Sequence, residues 1–123
     1  VTNLGHLEIG CLVNIELAMG VSDRFDGHIV SGHIDFVSEL IKIDSNKFYF
    51  AKNLDYDSFI AKKGSITING VSLTVVDDES QFFTVSLIPL TFEHTNFKSL
   101  IVGNFVNVEI DLIARYIQKL IKL

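Results

Sequence analysis

The segment SITINGVSLTVV, residues 65–76, restricts the fold more than any other part of the chain. Two short runs flank Asn69-Gly70, and in the run from Ser65 and the run to Val75 apolar residues alternate with hydroxyl residues. Asn-Gly supplies the two left-handed positions of a type I′ turn, whose twist matches that of paired strands. Alternation with period 2 turns one side of each run to a core and the other to something polar. The segment therefore predicts a hairpin of Ser65–Ile68 and Val71–Val76. Related signals recur along the chain. Gly27–Leu40 and Phe48–Ala51 read as strands, DDESQ (77–81) as a turn, and Phe82–Ile88 and Phe105–Ile110 as further strands. Asp55–Lys62 reads as a short helix, capped by Asp55 or Asp57 and ended at Gly64. About six short strands with closely spaced turns predict an all-β fold, a six-stranded antiparallel Greek-key barrel with one short internal helix.

The period changes in DLIARYIQKLIKL. Apolar residues fall at 112, 113, 116, 117, 120, 121 and 123, a helical stripe, with Asp111 at the N-cap position. So short a helix is marginal alone. Residues 112–123 are expected to bury their stripe against the barrel or against the same helix of other subunits.

Residues 2–18, TNLGHLEIGCLVNIELA, echo residues 95–111, TNFKSLIVGNFVNVEID, with seven of 17 positions identical. Two strands ending in Glu could match by chance. A tandem duplication explains more, with a unit of 93 residues, the offset from residue 2 to residue 95. The organisation read from it is a tail of a preceding repeat (1–18), a barrel (19–111) and a C-terminal helix (112–123), and Leu12–Leu17 is expected to extend as a strand.

A chain of 123 residues suits one core. Hydrophobic residues make up 48% and no run approaches 18 apolar residues, so no membrane span is expected. No signal peptide is read either. The high apolar content points to a subunit interface. Fifteen acidic against ten basic residues, with no basic stripe, argue against nucleic acid and anionic membranes as partners. A single cysteine excludes an internal disulfide framework and fits a cytoplasmic location.

Two Gly-His pairs lie in GHIVSGHID, residues 27–35. On a strand, His28 and His33 point to opposite faces; on a helix they would stand roughly 140° apart. Neither geometry lets both bind one ion, and Cys11, His6 and His94 add no ligand spacing, so no metal site is expected. Ser72 and Thr74 share the strand face opposite Val71, Leu73 and Val75. They are ordinary solvent-facing residues or they offer hydrogen bonds to a planar heterocycle. Pro89 in LIPLT sits at a strand end, where exposed backbone could bond a ligand that mimics a peptide edge. Gly27 and Gly32 permit close backbone approach or mark a bulge. Lys63 holds a polar tail of a ligand or complements the end of a helix dipole.

Together, GHIVSGHID, KKGSITINGVSLTV, FTVSLIPLT and GNFVNVEID occur in the order and spacing of the riboflavin synthase family. The chain resembles that family's second lumazine-binding barrel and C-terminal helix, and its opening looks like the end of the first barrel. The resemblance implies an enzyme without cofactor or metal. Two molecules of 6,7-dimethyl-8-ribityllumazine exchange a four-carbon unit, giving riboflavin and 5-amino-6-ribitylamino-pyrimidinedione. It implies a homo-oligomer, a trimer, with each site between the first barrel of one subunit and the second barrel of another. Carried over by position, substrate meets the backbone of Gly32, His33 and Ile34, the strand Ser72, Leu73 and Thr74, the segment Ser86, Leu87, Ile88, Pro89, Leu90 and Thr91, and Lys63. His33, Ser72 and Asp111 match the catalytic positions. His33 shares a strand face with Ser31 and Asp35 and is the ligand-side histidine; His28, beside Val30 and Ile34, is the structural one. Leu90 stands where the family often has His or Glu, and Asp26 replaces the first glycine of a common Gly-Gly-His. The first barrel is absent, so half a site is expected here. The alternative is a non-catalytic lumazine- or flavin-binding module of the antenna type, and a third possibility is an all-β interaction domain with no ligand.

Overall fold

The Asn69-Gly70 turn forms as its sequence demands, with φ of 49° and 82° at the two positions. In the computed structural model, which describes residues 2–15 and 29–121, this hairpin is one part of a closed antiparallel barrel. Its strands are β1 Phe36–Asp44, β2 Lys47–Ala51, β3 Ser65–Ile68, β4 Val71–Asp78, β5 Phe82–Ser86 and β6 Phe105–Ile110. Around the barrel the order is β1-β2-β5-β4-β3-β6. The β2–β3 and β5–β6 connections each pass two intervening strands, and both carry helical turns: a 3-10 helix at Leu54–Phe59 in the first, α1 (Pro89–His94) and a 3-10 helix at Asn96–Ser99 in the second. Helix α2, Leu112–Ile121, closes the described chain.

Alternation fills the barrel. Phe48 and Phe50, Ile66 and Ile68, Phe83 and Val85, and Val106, Val108 and Ile110 are all buried. Phe50 lies 5.7 Å from Phe83 between ring centres, and Phe48 meets Phe97 edge-on at 5.5 Å. The Asn96–Ser99 turn thus adds an aromatic plug that the sequence periodicity did not reveal. Ser38 is also buried, and its hydroxyl donates to Ala51 O at 2.6 Å, as a buried hydroxyl requires.

Several sequence expectations shift. The strand read at Gly27–Leu40 begins only at Phe36 and runs on to Asp44. Residues 29–35 turn away instead, because Gly32 adopts φ of 84° and the amides of Ser31 and Gly32 bond a side chain rather than a strand. Gly27 and His28, with the face assigned to His28, lie outside the described residues. The internal helix is a 3-10 turn capped by Asn53, whose side chain accepts from Asp55 N, not by Asp55 or Asp57. Asp77 and Asp78 extend β4, since Asp77 and Thr84 bond each other across the β4–β5 pair. β5 ends at Ser86, and Pro89 opens a helix rather than leaving a free strand edge; its fixed φ and missing N–H suit a first helical position. Leu12–Ile15 form no strand among the described residues, and residues 16 and 17 lie outside them.

Helix α2 is capped as expected: Asp111 Oδ1 accepts Ile113 N–H at 3.0 Å. Its stripe does not pack on the barrel, however. Ile113, Tyr116, Ile117, Leu120 and Ile121 are all exposed, while the half-buried positions are Leu112, Ala114 and Gln118. Arg115 fixes this rotation by pairing with Asp35. No helix among the described residues is long and apolar enough to cross a membrane.

Candidate functional site

The outward faces of β3, β4 and β6 carry one continuous polar band. On β4, Ser72 and Thr74 point away from the core, as Val75 points in. On β3 the strand pleat sets Ser65 and Thr67 opposite Ile66 and Ile68, and Thr67 is itself buried on that side. In register, Ser65 faces Thr74, Thr67 faces Ser72, and on its other side Thr67 faces Glu109 of β6. Ser72, Thr67 and Glu109 therefore stand side by side, with roughly 10 Å between the outer two at two strand spacings. Sequence reasoning found Ser72 and Thr74 but missed Ser65, Thr67 and Glu109. The period-2 pattern of their strands was the available signal.

Glu109 is buried on this outward face because the 29–35 loop folds over it. Its Oε2 accepts Ser31 N–H at 2.8 Å and Ser31 Oγ–H at 3.1 Å, and its Oε1 accepts Gly32 N–H at 3.0 Å. Successive amides turned toward one anion by a left-handed residue form a small backbone nest. Gly32 is required there for its φ, since a Cβ would meet nothing within 4 Å. Asp35 makes the second anchor. Its Oδ2 accepts Ile110 N–H at 2.8 Å and its Oδ1 pairs with Arg115.

These anchors shape a cavity of about 370 Å³ lined by Ser31, His33, Asp35, Glu109, Ile110, Leu112 and Arg115. Ser31, His33 and Asp35 thus meet in one place, as read from the sequence, although an irregular loop and not a strand brings them there. His33 is exposed at this cavity, and its backbone N–H reaches Ser31 Oγ at 3.3 Å. Ile34 is half-buried beside it. Asp111 is not among the lining residues; its carboxylate caps α2 next to them.

Ser72 lies at a second, larger cavity of about 690 Å³, formed with residues 12–15, Gly70, Val71 and the segment Glu93–Asn96 with Lys98. Leu73 points to the core side, so only its backbone faces outward neighbours. Thr74 and Ser86 flank the Val75–Val85 pair on the outer side, and both are exposed. Lys63, exposed in a turn with φ of 70°, donates its N–H to Val75 O at 2.8 Å. The segment after β5 offers less free backbone than its proline suggested. Leu87 is buried and bonds Asn46 through both its N–H and its carbonyl; Ile88 O accepts Phe92 N–H; Thr91 O accepts the Thr95 hydroxyl. What the segment exposes is apolar, the side chains of Ile88 and Leu90.

Away from this band, Lys47 pairs with Asp77 at 2.8 Å. Hydrogen bonds from Lys47 and then Thr84 hold the Asp77 carboxyl below its ordinary value, and the bond to Asp77 raises Lys47. Among the described residues no group of three or more His, Cys, Asp or Glu is placed to hold a metal ion.

A family model, the lumazine binding domain, matches residues 31–111, from the glycine nest to the helix cap. The chain belongs to the lumazine-binding domain family. Within curated proteins it is 43% identical over 122 residues to the riboflavin synthase of Actinobacillus pleuropneumoniae, covering 96% of this chain and 57% of that protein. It is 40% identical to the riboflavin synthase of Bacillus subtilis (strain 168) over the same shares. The chain thus spans little more than half the length of these relatives. The crystal structure of LumP complexed with 6,7-dimethyl-8-(1'-D-ribityl) lumazine superposes with a TM-score of 0.62 at 26% identity, covering 68% of this chain and 48% of that one.

Proposed function

We propose that this lumazine-binding domain is part of a riboflavin synthase and contributes half of a site that dismutates two 6,7-dimethyl-8-ribityllumazine molecules to riboflavin and 5-amino-6-ribitylamino-pyrimidinedione. The observation that carries the reading is identity of 43% to a riboflavin synthase over 96% of the chain. The ring lies on the outer band of β3 and β4. Ser72 and Thr74 offer hydroxyl contacts, Lys63 a cation for the polar chain, and Ile88 and Leu90 apolar contact, with Pro89, Thr91 and Ser86 around them. Because the Gly32 amide is committed to Glu109, Gly32 meets the ring through its carbonyl and its open α-carbon. His33 and the adjoining backbone of Ile34 face the reacting part of the ring, where a methyl proton must be removed. Asp111 acts beside them while capping α2. Orientation of two reactants supplies most of the acceleration, and that needs a second barrel opposite this one.

The exposed stripe of α2 is read as the contact among three subunits, and the cytoplasm as the location. The solved LumP complex favours one second reading, a lumazine binder without turnover. Titration of the chain with riboflavin, followed by flavin fluorescence, tests binding. Riboflavin formation from the lumazine, with and without an added first barrel, tests turnover. Saturable binding with turnover only in the presence of the first barrel is expected. Full turnover by this chain alone defeats the half-site reading. Binding that never gives turnover with the first barrel present leaves the antenna reading.

A further inference from the structure

Asn69 is the one asparagine of eight that precedes a glycine; the other seven precede leucine, isoleucine, valine, phenylalanine or lysine. A side chain on the following residue crowds the approach of its amide nitrogen to the asparagine carboxamide, and glycine has none. The space around Gly70 is open as well: a Cβ there would meet nothing within 4 Å, and the residue is exposed. Of the eight, Asn69 is therefore the one best able to close a succinimide with its neighbour.

The fold opposes that closure. Asn69 is half-buried and left-handed, with φ of 49°. Its N–H donates to Asn107 O at 2.9 Å, and its Oδ1 accepts Asn107 N–H at 2.9 Å. Backbone and carboxamide are thus both tied to β6. Ring closure has to swing Cγ onto the Gly70 nitrogen, which breaks the second bond and takes Asn69 out of its turn geometry.

We propose that Asn69 is a covalent modification site, deamidating through a succinimide formed with Gly70, and that its two bonds to Asn107 gate the reaction. The Gly70 nitrogen bonds to Asn69 Cγ as the Cγ–Nδ2 bond breaks, and the Gly70 amide proton departs with Nδ2 as ammonia. Water then opens the ring, so neither oxidant nor reductant is needed. Attack at Cγ restores the main chain and leaves aspartate. Attack at the backbone carbonyl leaves isoaspartate, with the main chain routed through Cβ and Cγ. Aspartate keeps an acceptor for Asn107 N–H and preserves the hairpin. Isoaspartate adds one main-chain atom to a two-residue turn, and turn length fixes register. Val71 then no longer faces Ile68, nor Ser72 Thr67, as they do in the intact hairpin. This consequence for binding rests on the ligand reading above: isoaspartate at position 69 removes the Ser72 contact from the ring.

Incubation of the full chain at mildly alkaline pH, folded and in guanidinium chloride, followed by proteolytic mapping and mass spectrometry, tests the site and its gate. Asn69 is expected to be the first asparagine deamidated in the folded chain, about tenfold or more slower than in the denatured sample, because two hydrogen bonds have to open first. First reaction at another asparagine, or no product at Asn69 once the denatured sample has reacted fully, overturns the site. Equal rates in the two samples overturn the gate. Riboflavin titration of the aged chain, separated into its forms, tests the consequence. Freshly made Asn69→Asp should bind as the unsubstituted chain does, and the isoaspartate form about tenfold or more weakly. An isoaspartate form that binds like the unsubstituted chain overturns the loss of register. If the fresh unsubstituted chain itself binds no riboflavin, the ligand reading fails, and the mapping result still decides the modification site.

Discussion

The β3–β4 hairpin and the 29–35 loop share one side of the barrel, and they are built by opposite means. The hairpin's form is local: its turn residues, its alternation and its β3–β4 register lie within residues 65–78, although β3 also pairs with β6, and Asn69 exchanges bonds with Asn107. The loop is held from afar: Glu109 bonds Ser31 and Gly32 across 78 and 77 positions, and Asp35 meets Ile110 and Arg115 across 75 and 80. Local chemistry shapes the wall on which a ring could lie, while distant carboxylates position the histidine beside it. Damage to the two should therefore look different.

The largest effect is expected at Glu109. Glu109→Ala strips the acceptor from two backbone amides under a closed loop, and should cost about 2–3 kcal/mol, seen as a lower urea midpoint with the slope unchanged. Exchange at Ser31 and Gly32 should rise with it. A loop that stays protected would mean that local forces suffice there after all. Gly70→Ala attacks the hairpin instead. Nothing lies within 4 Å of the new Cβ, so the penalty is the left-handed backbone alone, about 1 kcal/mol, with the 29–35 amides unaffected. Loss of loop protection in that variant would join the two regions that the contrast separates.

Asp35→Asn is milder. It keeps an acceptor for Ile110 and loses the pair with Arg115, whose side chain is 45% exposed. Below about 1 kcal/mol is expected, and a shift of the His33 resonances should exceed any shift in the hairpin. Asp77 gives a smaller, pH-dependent effect. Its depressed carboxyl favours the folded chain above the ordinary carboxylate range, and that contribution disappears as pH falls through the depressed value. Asp77→Asn should flatten the acid limb of thermal stability; an unchanged limb would deny the Lys47 bond any role. Least of all, Asp111→Asn should leave the melting temperature nearly unchanged, because Asn caps about as well as Asp. Lower turnover by that variant in a complete two-barrel protein would reveal a second duty for Asp111, and full turnover would leave only the cap.

The same contrast explains what the sequence made legible. The six strands, the Asn69-Gly70 turn and the Asp111 cap rest on periodicity and nearest neighbours, and all were readable. Ser31, His33 and Asp35 were rightly grouped, but on a strand face that the loop does not have. The bonds that fold the loop come from Glu109, which looks in sequence like any outward residue of β6. Pro89 misled for a related reason. A proline closes a strand and opens a helix equally well, and only Phe92 and Phe97, packed near Phe48, show which occurred.

Asp35 carries a consequence beyond stability. One oxygen of its carboxylate is tied to β6 and the other to Arg115, on the first full turn of α2. The helix, with its apolar stripe outward, is thereby yoked to the mouth of the cavity at His33. A partner on that stripe and a ligand in that cavity would therefore share one tether, and any effect of the first on the second would be returned by the same factor, bounded by the about 1 kcal/mol that so exposed an ion pair can carry.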